Sequence, residues 1–125
     1  MSNYLENALI NEVLRATGYT APSTVYVALF TSDPTDAGSG TECSGTSYAR
    51  QSATFAAPSN GASSTSADIN FPQAGGSWGT ITHFGIFDAL TTGNLLVHGA
   101  LTTSKTIDTG DVFKIASGSL TVTFA

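Results

Sequence analysis

The longest alternation of apolar and polar residues runs from Trp78 to Leu101 and holds the only tryptophan and both histidines. Read with a period of two, Trp78, Thr80, Thr82, Phe84 and Ile86 fall on one face, and Ile81, His83 and Phe87 on the other. A strand of that kind is buried on much of both sides. Leu90-Thr91-Thr92-Gly93-Asn94 supplies small, polar, φ-permissive residues, and the apolar run from Leu95 to Leu101 follows at once. The pattern predicts a central β-hairpin whose turn, centred near residue 91, pairs His83 with residue 98 or 99.

A different period opens the chain. Leu5, Leu9, Val13 and Ala16 are spaced three and four apart, Asn3 and Glu6 have the spacing of a capping box, and Gly18 and Pro22 follow as stop signals. These predict one amphipathic helix over about 3–17. Ile10 and Leu14 add a second apolar edge, so the buried stripe is wide. The helix is expected to cover one end or face of the sheet, with docking onto a neighbouring subunit as the alternative.

Thr24 to Phe30 is almost wholly β-branched, aromatic or aliphatic, which predicts a central strand buried on both faces. Thr31 to Thr46 is a long loop of Ser, Asp, Pro, Gly and Thr. Tyr48 to Phe55 and Ala67 to Phe71 read as strands, with Ala56 to Asp68 mostly a loop between them. Thr103 to Thr106 read as a connection and Ile107 to Asp111 as a turn. Val112 to Ala116 and the strictly alternating Leu120 to Phe124 close the chain as strands. Seven or eight short strands without interleaved helices make the fold all-β. The expected architecture is one domain over residues 1–125, a jelly-roll-like β-sandwich with strands from about residue 24 to 125 and one N-terminal amphipathic α-helix.

Composition narrows the partners. Charged residues are 10% of the 125, the net charge is −5, and Arg15, Arg50, Lys105 and Lys114 are the four cations. Binding a phosphate backbone needs clustered Lys and Arg, so no nucleic-acid partner is expected. No apolar run approaches the roughly 20 residues of a membrane span, and the N-terminus lacks a signal-peptide pattern, so no membrane partner is expected and export would be by cell lysis. Cys43 stands alone in a polar loop and reads as an inert thiol.

The candidate chemistry is thin. His83, His98 and Asp88 lie in the hairpin among many serines, yet His83 and Asp88 are an odd number of residues apart and point to opposite faces of a regular strand. Two histidines alone make a poor metal site. Asp33, Asp36 and Glu42 share a loop but lack the spacing of a calcium loop, and no two carboxylates face each other across a sugar cleft. No catalytic, metal or cofactor residue is assigned, and the chain is not expected to be an enzyme. Arg50 is expected to form a structural salt bridge.

Four stretches, Thr24-Val-Tyr-Val-Ala-Leu-Phe-Thr-Ser-Asp-Pro34, Ser47-Tyr-Ala-Arg-Gln51, Trp78-Gly-Thr-Ile-Thr-His-Phe-Gly-Ile-Phe-Asp88 and Asn94-Leu-Leu-Val-His-Gly-Ala-Leu101, carry a family likeness, together with the opening Asn3 to Leu9. The chain resembles small tailed-bacteriophage virion proteins, often labelled tail fibre proteins and similar to head decoration or cement proteins of jelly-roll type. The resemblance implies a virion protein made in the host cytoplasm. It favours a capsid decoration protein that oligomerises with its own copies and binds the major capsid protein on the capsid surface. The alternative is a tail fibre or tail-tip module contacting the host surface or other tail proteins. The helix and the long loops supply the expected contact residues: Tyr4, Glu12, Arg15, Asp33, Asp36, Glu42, Arg50 and Asn60. Acidic charge would favour a basic patch on the shell, with affinity falling as salt rises.

Overall fold

The computed structural model describes residues 1–124. The predicted hairpin is its centre: β5 (Gly79–Phe87) and β6 (Leu95–Ile107) run antiparallel. The expected strand at residues 24–30 is β1 (Val25–Phe30), which pairs with β5, and β2 (Gln51–Ala53) pairs with the other edge of β1. The four form one sheet in the order β2-β1-β5-β6. Two antiparallel ribbons complete the β-structure: β3 (Ala62–Ser64) with β8 (Thr121–Thr123), and β4 (Ile69–Asn70) with β7 (Lys114–Ile115). The fold is thus mostly β with one helix, as expected. Its second layer is two separate ribbons, less regular than the second four-stranded sheet of a jelly roll. Ala125, included in the expected strand region, lies outside the described residues.

One apolar cluster joins helix, sheet and ribbons. Val27, Leu29 and Ile81 are fully enclosed in it, with Ile86, Val97 and Trp78 from the sheet side and Ile69, Phe71, Ile115 and Leu120 from the ribbon side. Burying each large side chain contributes about 1.5–3 kcal/mol, which offsets the ordering of short strands that pair little backbone. A smaller cluster of Ala28, Phe30, Phe87 and Leu95 lies on the opposite face of the sheet.

The hairpin register differs from the expectation. His83 pairs with Ala100, and His98 with Gly85, because the ladder is irregular between Ile86 and Phe87. A second irregularity between Ile81 and His83 leaves Thr82 opposite residues 101–104. Bulges of this sort reset the alternation, and Ile81 joins Trp78 and Ile86 in the main core instead of facing away from them. Residues 103–106, expected as a connection, belong to β6.

The helix α1 (Asn3–Arg15) is capped by Ser2, whose hydroxyl accepts the Leu5 N–H at 3.2 Å, and not by Asn3. It stops at Ala16, which adopts the left-handed conformation (φ 51°) before Gly18 is reached. Its burial is also narrower than expected. Leu5 is buried and Leu9 half-buried, whereas Ile10, Val13 and Leu14 are 51%, 73% and 77% exposed. The reason is length: the N-terminal turns rest on the start of β6, tied by the Ser2 N–H to the Leu96 carbonyl, and the remaining turns overhang the sheet.

Candidate functional site

Arg50 precedes β2 and is 8% exposed. Its guanidinium grips Glu42 as a fork, Nε to Oε2 at 2.9 Å and Nη2 to Oε1 at 2.8 Å. Nη1 donates to the carbonyls of Ala89 (3.0 Å) and Thr92 (2.7 Å), and the plane lies 3.8 Å from the centroid of Phe87. Tyr48 donates to the same carboxylate at 2.7 Å and accepts the Leu29 N–H at 3.0 Å. Burial, with the carboxylate beside it, pushes the Tyr48 hydroxyl well above its ordinary range, so it stays a donor. This confirms the structural salt bridge expected of Arg50. It also turns both members of the pair inward, so the surface above them is the hairpin tip, where Leu90 is 52% exposed.

A second cluster joins loop to sheet. His98 on β6 lies with Nε2 at 2.9 Å from Asp36 and Nδ1 at 3.7 Å from Asp33. Asp33 also accepts the Thr35 N–H at 2.9 Å, and the Asp36 carbonyl accepts the Asn3 N–H at 3.0 Å. Tyr4 stands beside them, exposed and edge-on to Tyr19, lining a shallow cavity of about 400 Å³ with Asp36 and Asn94. Glu12 accepts the Tyr19 N–H at 2.7 Å and Arg15 donates to Asn11 at 2.9 Å, both on the exposed helix. Of the expected contact residues, the structure therefore gathers Tyr4, Asp33 and Asp36 around one end of α1. Glu12 and Arg15 lie further along it. Asn60 sits apart, exposed in the two-residue turn Ser59–Ala62 with φ 52°.

The titratable groups of the hairpin do not converge. His83 Nδ1 meets the Thr82 hydroxyl at 2.8 Å, while Asp88 accepts the backbone N–H and side-chain amide of Asn94 at 2.7 and 2.9 Å. Asp88 is a turn brace with no histidine to orient. Among the described residues no three His, Cys, Asp or Glu side chains assemble as metal ligands.

What the periodicity did not reveal is apolar surface. A groove of about 260 Å³ opens between α1 and the β3–β8 ribbon, with Leu5, Val25, Ile86, Val97, Val122 and Phe124 in its lining. Among the described residues its lining contains no ionisable side chain. On the same helix Ile10, Val13 and Leu14 are exposed, Val13 next to the edge formed by Leu5 and Leu9, and Ile10 and Leu14 on a second apolar edge turned away from it. Exposed apolar surface rimmed by polar residues marks an interaction site more often than a catalytic one.

A family model described as "Podophage GP4 fiber I protein gp80" matches residues 1–123. A comparison with the curated proteins finds no match. The family match takes in the helix, all eight strands among the described residues, the Arg50 brace and the apolar groove except Phe124, and on that span the chain belongs to the Podophage GP4 fiber I protein gp80 family, a family of tailed-phage virion proteins.

Proposed function

We propose that this chain is a structural, non-catalytic fibre subunit of a tailed-phage virion, held in place through the overhanging face of α1 and the groove beside it. The observation that carries the reading is the exposure of Ile10, Val13 and Leu14 on a helix whose first turns are firmly seated. Three large apolar side chains on the open face of a well-capped helix are what a docking helix presents to a groove. The family description supports a fibre. His98 is occupied by Asp36, His83 by the Thr82 hydroxyl and most carboxylates by Arg50 or backbone N–H groups, which suits a brace and not a reaction centre.

The second reading is a capsid decoration protein: a jelly-roll-like sandwich with a reduced second layer, assembled from several copies on the capsid surface and bound to the major capsid protein. It is favoured by the absence of any heptad, collagen or short repeat in the sequence, the usual means of building a fibre shaft. The test is gold labelling of purified virions with an antibody to this chain, together with a mass-spectrometric copy count. Label on fibres or tail supports the fibre reading, and a copy number commensurate with the shell lattice supports decoration. Absence from purified particles rejects both.

A further inference from the structure

The outer edge of β6 carries backbone groups that no strand among the described residues pairs. Ala28 and Phe30 of β1 pair with Gly85 and His83, and the Leu29 N–H and C=O turn the other way, to Tyr48 and Cys43. In an antiparallel ladder successive residues alternate in the direction of their backbone groups. Gly85 and His83 therefore bond to β1, Ile86 and Phe84 bond to β6, and their partners Val97 and Gly99 face inward. The N–H and C=O of His98 and Ala100 must point out of the sheet. The neighbouring outward carbonyl, that of Leu96, is taken by the Ser2 N–H, but among the described residues no backbone partner is present for His98 or Ala100.

The ribbon presents a matching edge. Phe124 N–H bonds to Gly61 C=O and Thr65 N–H to Leu120 C=O, which makes Ser63 and Val122 the mutually bonded pair and turns the backbone groups of Thr121 and Thr123 away from β3. Residues 98–100 and 121–123 line the same cleft, about 250 Å³ in volume, with Met1, Phe84 and Val97. Two rows of unpaired backbone donors and acceptors facing one cleft are a template for an extended peptide.

We propose that this cleft accepts a short β-strand donated by a different virion polypeptide, which pairs with the His98–Ala100 edge and is closed over by the Thr121–Thr123 edge. The inference rests on the virion reading above and adds a second contact to the one made by α1. A foreign donor is chosen over a second copy because every strand among the described residues is already paired in its own sheet or ribbon, and because β8 lines the same cleft as the β6 edge, where the sheet behind a folded copy's edge strand would meet it. The bulge opposite Thr82 ends the usable edge at Ala100, so the donated strand is short. Its side chains facing Phe84, Val97 and Val122 are apolar, and those facing outward are polar.

The test is amide hydrogen exchange on the purified protein and on intact virions, read at His98, Ala100, Thr121 and Thr123. These four amides should exchange freely in the purified protein, in contrast to Val97, Gly99 and Val122, and become protected in the virion. Ala100→Pro, which deletes an outward N–H at an edge position where proline is tolerated, should fold normally and leave copies per virion lower by about tenfold. If the protein is present in virions and the four amides still exchange freely, the strand site is overturned and the virion reading stands. Protection that appears on concentrating the purified protein alone assigns the cleft to a second copy and overturns the foreign donor. Absence of the protein from virions overturns both readings.

Discussion

Arg50 shows how one side chain can tie together segments that a linear reading keeps apart. It joins Glu42, the hairpin tip and the face of Phe87, and its hold on the Thr92 carbonyl steadies a β-branched residue at φ 53°, a conformation such residues rarely adopt. Arg50→Ala should lower the free energy of unfolding by about 3 kcal/mol, because Glu42 would be left half-buried with only Tyr48 to meet it. Arg50→Lys should lose less, since the charge survives and only the fork is lost. Urea denaturation at neutral pH separates the two, and an equal loss would mean that packing and not the fork matters. The composition made Arg50 a salt-bridge candidate, but the sequence carries no sign that its partner would be Glu42, eight residues earlier. Cys43 behaves as its neighbourhood suggested. It is buried, donates to the Trp78 carbonyl at 3.6 Å, and burial, reinforced by the Glu42 charge, pushes its thiol from 9.0 up to about 11. A raised thiol favours the neutral form in the fold, so its contribution to stability is fully present below pH 9.0 and is lost as pH rises through about 11. A thiol reagent at pH 8 should leave Cys43 unmodified until urea unfolds the chain; rapid modification of the folded protein would contradict this.

The elements divide into those set by local pattern and those set by distant partners. The central hairpin follows from a period-two run, β1 from a continuous apolar run and the helix from a period-3.6 run, and the structure keeps them. The Tyr48–Phe55 strand shrinks to Gln51–Ala53 because Ser47 takes φ 73° and Arg50 turns into its network before the ladder begins. The β3 strand was hidden inside an Ala-Ser-rich stretch. Its available signal was Asn60-Gly61, a dipeptide suited to a two-residue hairpin turn, and these residues do turn the chain there. The helix carries the clearest functional prediction. Val13→Ser and Leu14→Gln alter side chains that are 73% and 77% exposed, so each should change stability by less than about 0.5 kcal/mol. Leu5→Ala, by contrast, removes a buried contact and should cost about 2–3 kcal/mol. If the overhang docks on a virion partner, the double variant Val13→Ser/Leu14→Gln should melt like the parent protein but fail to be retained on particles. Normal retention would remove the helix from the interface. The sequence showed an amphipathic helix but not its exposed face, because how far a helix overhangs depends on where its sheet ends.

In the molecule as a whole, the second layer joins residues far apart in the chain: the Ser64 and Thr121 hydroxyls meet at 2.8 Å across 57 positions. No local pattern encodes such pairing, which is why the alternation of the last strand was readable and its partner was not. Charge is also redistributed by folding. The net charge of −5 suggests an acidic surface seeking a basic partner, with binding that weakens in salt. Yet among the described residues seven of the nine acidic side chains, all but Glu6 and Asp108, accept a hydrogen bond or pair with a cation. Carboxylates already tied to backbone N–H groups, His98, Arg50 or Lys114 have less to offer a partner, whereas the groove lining and the Ile10, Val13 and Leu14 stripe are uncharged. Apolar contact and backbone pairing depend little on ionic strength, while exposed charge pairs weaken as the screening length falls from about 10 Å at 0.1 M to about 3 Å at 1 M salt. Retention on virions should therefore change by less than about twofold over that range, and the double helix variant should be lost at both salt concentrations. Quantifying the chain in pelleted particles after each wash decides the matter. A fall of about tenfold or more in the parent protein would show that charge carries the contact after all, and would move the interface to the cluster of Asp33, Asp36 and His98.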